Sequence, residues 1–176
     1  MAVPKPPTAG DERQTLTAFL DYYRAVVTDK ASGLDSDQLD MRLVPSTLTL
    51  GGIVHHLALV ENWWFHQVLL GLEPDEPWKG APWKEDRDWD FTVAASLDPQ
   101  TILDRYGTEC ERARAAVGSV ADLDRVSVWR NARGEGFSLR WILVHMIEET
   151  ARHAGHADLI RESIDGATGD FRDDGE

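Results

Sequence analysis

Apolar residues recur at three- and four-residue intervals in four long blocks, separated by polar stretches bearing glycine and proline. That interval marks one face of a helix. The first block carries Leu16, Phe19, Leu20, Tyr23, Val26 and Val27. Asp11-Glu-Arg-Gln14 in front of it has the form of a capping box, which predicts a helix from Asp11. The second and densest block runs from Thr49 to Leu70, with Gly71 as its stop. The third opens on Asp98-Pro99, an N-cap followed by proline at the first helical position, and ends near Gly118. The fourth starts at Ser138 and reaches about Ile164, with Gly166 beyond its end.

The intervening stretches complete the predicted architecture. Residues 31–46 form a polar connector in which Ser36-Asp-Gln-Leu39 adds a short helical turn. Glu73 to Ser96 is a long connection with three prolines and with Trp78, Trp83, Trp89 and Phe91. Such length suits a crossover between the second and third helices, and its aromatics either cap a pocket or pin the crossover to the bundle. Val126 to Phe137 admits a short β-hairpin before the last helix. The prediction is an all-α, four-helix bundle over residues 11–166, with a disordered N-terminus at 1–10 and an acidic tail at 167–176.

Composition narrows the function classes. A chain of 176 residues with 42% hydrophobic and 28% charged residues fits one soluble domain. The net charge of −13 argues against nucleic acid or an anionic membrane as partner, since both need clustered Lys and Arg. Met1 to Gly10 has no apolar core and reads as neither signal nor anchor. Cys110 stands alone, which rules out an internal disulfide and a Cys-based zinc site and fits a cytoplasmic protein. Its neighbours Glu109 and Glu111 should raise its thiol pKa. Tryptophans expected to be exposed on the long connection make a homodimer plausible.

The last helix carries the candidate chemistry. At about 100° per residue, His145, Glu149, His153 and His156 fall within roughly 80° of one another. Ile142 and Ile160 lie on the same line, one turn beyond each end. Ligand-type side chains thus occupy a stripe that points where a core stripe should point. Burying imidazoles and a carboxylate is costly unless they are paired or bound to a cation, so a metal site is the simplest account. A bundle completes such a site from a facing helix, and the second helix offers His55, His56 and His66. Helical phase turns His56 to the core flank and His55 and His66 to solvent or a rim. On the last helix, His145 with Glu149, Glu149 with His153, and His153 with His156 all have one-turn spacing, and spacing does not choose among them.

The segments Leu50-Gly-Gly-Ile-Val-His-His56-Leu-Ala-Leu-Val-Glu-Asn-Trp-Trp-Phe65 and Leu139-Arg-Trp-Ile-Leu-Val-His-Met-Ile-Glu-Glu149-Thr-Ala-Arg-His153-Ala-Gly-His156-Ala-Asp158 carry a resemblance. Together and in this order they resemble the DinB/YfiT-like superfamily of four-helix metalloproteins, in particular its actinobacterial mini-circle-type branch. That superfamily includes mycothiol-dependent maleylpyruvate isomerase. The resemblance spans roughly residues 11–169 and implies a divalent metal, Zn, Ni or Fe, held by His56, Glu149 and His153. His156 stands where many relatives have glutamine, which leaves its role as ligand, support or proton carrier open.

Two imidazoles and a carboxylate leave coordination positions free for water or substrate. The resemblance implies a metal-dependent enzyme acting on a small molecule, which activates a low-molecular-weight thiol such as mycothiol. Activation of water for hydrolysis is a second reading. A non-catalytic metal- or small-ligand-binding stress-response protein is a third. His156 or His145 is expected to move protons, and Arg152 to bind a substrate carboxylate unless it pairs with Glu148 or Glu149. No Ser-His-Asp or Cys-His motif and no glycine-rich nucleotide loop competes with this site.

Overall fold

The computed structural model describes residues 5–43 and 45–169. The expectations for residues 1–4 and for the acidic run at 170–176 lie outside the described residues. Helix α1 (Glu12–Ala31) begins with the predicted capping box: Asp11 accepts from the Gln14 backbone while the Gln14 side chain accepts from that of Asp11. A one-turn helix, α2 (Ser36–Leu39), repeats the device with Asp35 and Gln38. Helix α3 (Leu50–Glu61) continues without a break into a π-helical segment, Asn62–Leu69. The long connection holds a short helix, α4 (Trp89–Thr92), followed by a 3₁₀ turn at Val93–Ser96. Helix α5 (Pro99–Ser119) is capped by Asp98, and α6 (Leu139–Asp165) by Ser138, with Gly166 left-handed at its C-terminal end. All four long helices of the predicted bundle are present.

Two differences from expectation have physical causes. The stretch before α6 contains no strand among the described residues. Its one antiparallel bridge, Val126 to Ser138, encloses a turn in which Asn131 and Glu135 hold each other. The second helix is not α-helical throughout. Asn62 accepts from Gln67 five residues on, at 2.9 Å, a side-chain bond that spans the wider π turn. The same Asn62 is buried and donates to Glu109 on α5 at 3.2 Å. Such segments are rare in helices and recur at functional sites.

Helix α1 packs on α6, and α3 packs on α5. The interior forms two adjoining clusters. One is built around Val27, Ile53, Leu57, Ile102 and Ala157. The other gathers Leu20, Phe65, Val68, Ile142 and Met146, beside the π segment. A buried ion pair ties α1 to α3: Arg24 Nε and Nη2 donate to the two oxygens of Glu61 at 2.7 and 2.6 Å. Burial opposes the charge on Arg24, but the Glu61 carboxylate outweighs it and the guanidinium stays charged. Cys110 is buried nearby. Desolvation, and then Glu61, push its thiol far above the ordinary range, so the cause is not its chain neighbours Glu109 and Glu111.

The crossover is pinned rather than loose. Trp78 is 2% exposed and donates to Glu109 at 3.3 Å, while Trp83 donates to the Trp78 carbonyl at 3.2 Å. Trp78 and Trp83 both meet the edge of Trp89. The tryptophans of this connection are therefore packed inward, which removes the reason given above for a homodimer. Glycine lets the crossover approach α3 closely: a Cβ on Gly52 would lie 3.0 Å from the Phe91 carbonyl oxygen. Among the described residues, no helix is long and apolar enough to cross a membrane.

Replacing Glu61 with alanine removes the bidentate partner of buried, charged Arg24 and leaves it with the partly exposed Asp21, 2.9 Å from Nη1. The expected loss is about 3–5 kcal/mol of unfolding free energy. Urea unfolding of Glu61→Ala against the Arg24→Met/Glu61→Leu double variant checks this, since the double variant should recover most of the loss.

Candidate metal centre

Helices α3 and α6 bring His56, Glu149 and His153 together. The phase of each helix turns these side chains toward one another, and the donor atoms of the three all lie within 4.8 Å. Glu149 Oε1 is 3.3 Å from His56 Nε2 and 3.4 Å from His153 Nε2. Both imidazoles thus aim the same nitrogen at one carboxylate oxygen. These separations exceed the length of a charge-assisted hydrogen bond, about 2.7–2.9 Å. A cation about 2.0–2.1 Å from each donor, with tetrahedral angles, would space neighbouring donors about 3.3–3.4 Å apart. The donor set and its spacing fit a divalent metal.

The surroundings favour positive charge at this point. His56 Nδ1 donates to Asp90 Oδ2 at 2.5 Å. With Nδ1 committed there, His56 turns Nε2 to Glu149, as a second N–H when the ring is charged or as a lone pair for a cation when it is neutral. Burial opposes charge on His56, yet Asp90 and Glu149 outweigh it and raise its pKa. Hydrogen bonding from His153, then from His56, holds the Glu149 carboxyl well below the usual range. Phe91 stacks on the His56 ring at 4.2 Å and 17° between planes, fixing its orientation. Asp90 and Phe91 both belong to α4, so the crossover supplies the support for an imidazole on α3.

Asp90 escaped the sequence reading. The signal was an acid between aromatics, Trp89-Asp90-Phe91, inside the long connection. An acid flanked by large rings in a loop sits where burial is expected, and a buried carboxylate requires a partner. The carbonyl of Asp90 takes a second histidine: His55 Nδ1 donates to it at 2.7 Å. Arg105 donates to His55 Nε2 at 2.5 Å, and Trp78 and Trp89 enclose the ring. His55 is fully buried, contrary to the solvent-facing position expected for it. Helical phase assumes one covered face, but here α5 and the crossover cover the opposite side as well. His66 is half-buried, its Nε2 3.0 Å from the Glu73 carbonyl.

The remaining predicted residues lie at different distances from the trio. His156 places its ring 5.4 Å from that of His153, and its Nδ1 is buried without a hydrogen-bond partner among the described residues. Desolvation, with His153 and Arg152 nearby, lowers its pKa. Arg152 is exposed, and among the described residues it makes no ion pair with Glu148 or Glu149. His145 is not brought to the trio. It stacks on Trp141 at 5.1 Å and meets Trp64 at 4.8 Å, with Nδ1 3.7 Å from Glu148.

The pattern that defines mycothiol-S-transferases matches residues 15–166, a span that contains every residue of the trio and of its support. The chain belongs to the mycothiol-S-transferase family. This agrees with the DinB-like resemblance read from the two helical segments. No curated protein matches the chain. A solved structure described as a conserved protein from Enterococcus faecalis has the same fold, with a TM-score of 0.63 and 16% identity. The similarity covers 90% of this chain and 100% of that one. For a mycothiol-S-transferase family member, the His-Glu-His trio is the group of donors that the described fold brings into range of a single ion.

Burial lowers the pKa of His55 to about 4, against about 6.5 when unfolded. The folded state keeps the neutral ring, so stability is fully present above about pH 6.5 and falls as pH drops toward 4. Between pH 7 and pH 5 this site should cost about 2 kcal/mol. Urea unfolding at both pH values should show that loss in the native protein and not in His55→Gln.

Proposed function

We propose that this protein is a metal-dependent S-transferase in which His56, Glu149 and His153 hold a divalent cation. The observation that carries this is the convergence of two imidazole Nε2 atoms on one Glu149 oxygen, at 3.3 and 3.4 Å. Family membership supports a low-molecular-weight thiol such as mycothiol as the sulfur donor. A bound divalent cation would supply Lewis acidity that favours thiolate over thiol near neutral pH. The transfer itself forms a C–S bond to a small electrophile. The leaving group departs with its bonding pair, or in an addition the pair moves to the adjacent atom and takes up a proton.

The chain's own residues have separable tasks. Asp90 and Phe91 fix the His56 ring by a hydrogen bond and a stack, so its Nε2 is aimed before anything binds. His156 lies one helical turn from His153, desolvation lowers its pKa, and its task in this reading is to accept the thiol proton. Arg152 is exposed and free to pair with a carboxylate of the thiol. His145 stands two turns from His153 among aromatic rings and has no role at the trio.

Elemental analysis of purified protein tests the ligand set. His56→Ala, Glu149→Ala and His153→Ala should each lower metal affinity at least about 10–100-fold, and Asp90→Ala by an amount within that range. Full metal occupancy in the first three variants would show that they are not ligands. Consumption of a small electrophile should require added thiol. Equal rates without thiol would favour hydrolysis, and no turnover would favour a binding protein.

A further inference from the structure

A cavity of about 340 Å³ lies against α3 and the π segment, under the crossover. Leu59, Val60, Trp63 and Gln67 form one side, and Trp78 and Trp83 the other. Its size is at the small end of ligand cavities, about 300–1,000 Å³. No charged side chain lines it, and the indole N–H groups of Trp78 and Trp83 are already used in holding the roof. An ionised thiol has no partner there, whereas an uncharged ring or alkyl chain does. A peptide segment or a second copy of the chain would need a longer surface.

The cavity lies next along α3 from the metal centre. On α3, Leu59 and Val60 follow His56 by three and four residues, so they share its face one turn on, about 5 Å along the axis. The roof leads to the same place: Trp83 meets Trp89 at 5.5 Å, and Trp89 precedes Asp90, which holds His56. Floor and roof are thus fixed by the elements that aim the His56 imidazole. We propose that this cavity binds the uncharged aromatic or aliphatic part of the electrophile, and so sets which electrophiles the protein accepts. The proposal rests on the S-transferase reading and gives it a substrate class.

N-phenyl-1-naphthylamine, an uncharged fluorophore that brightens in apolar surroundings, tests the cavity directly. The native protein should bind it at one site, and an apolar electrophile should displace it. Trp83→Ala, which opens the roof, and Val60→Phe, which fills the cavity, should each weaken its binding about tenfold or more with metal content unchanged. In a series of alkyl-substituted electrophiles, kcat/KM of the native protein should rise about fourfold per added CH₂ and stay flat in Val60→Phe. No fluorophore binding by the native protein, or unchanged binding and selectivity in both variants, overturns the cavity assignment and leaves S-transfer standing. Fluorophore binding without any thiol-dependent turnover overturns the S-transferase reading, and the cavity's link to an electrophile falls with it.

Discussion

The grip of Asp90 on two adjacent histidines is the contact on which the rest of the site depends. Its carboxylate takes His56 and its carbonyl takes His55, so one residue of the crossover fixes two consecutive rings of α3. Helix α3 alone would let the His56 imidazole choose among rotamers. The crossover removes that freedom from outside the bundle, and Phe91 closes the remaining face of the ring. The opposing donor, Glu149, comes from a residue 93 positions away in the chain. The centre therefore joins three separate elements, none of which contains a site by itself.

The structure places its buried charges in two different ways. Arg24 and Glu61 neutralise each other through a bidentate pair, and the result is mechanical: α1 is locked to α3. Around His56 the balance is left open, with Asp90 and Glu149 on either side of one imidazole. An excess of carboxylate against imidazole attracts either protons or a metal. The first arrangement is buried between helices, and the second borders a face on which Glu149 is partly exposed. Stability and chemistry are assigned to different pairs of helices.

Much of the fold was legible because helix ends are local. Asp11, Asp98-Pro99, Ser138 and Gly166 act through bonds within a turn, and all four mark real helix ends. The trio was legible through the two helical segments taken together, since one-turn spacing on α6 left three pairs open. What stayed hidden was non-local. Periodicity turns His55 to solvent or a rim because it knows only one partner face, and here α5 and the crossover cover the other. The π segment depends on Asn62 meeting both Gln67 and Glu109, and no interval in the sequence announces that. Asp90 was missed because a loop acid is ordinarily solvated, and only its position under α3 makes it a partner.

Gly52 shows how the helices divide between rigidity and fit. Glycine in a helix interior weakens it by about 1 kcal/mol relative to alanine. At residue 52 that weakness is what admits the Phe91 backbone, since a methyl group there would press on its carbonyl. Gly107 on α5 and Gly155 on α6 face open space and serve no such contact. A thermostabilising redesign can thus stiffen α5 and α6 with alanine at positions 107 and 155. At Gly52 the same change would lift the loop that orients His56.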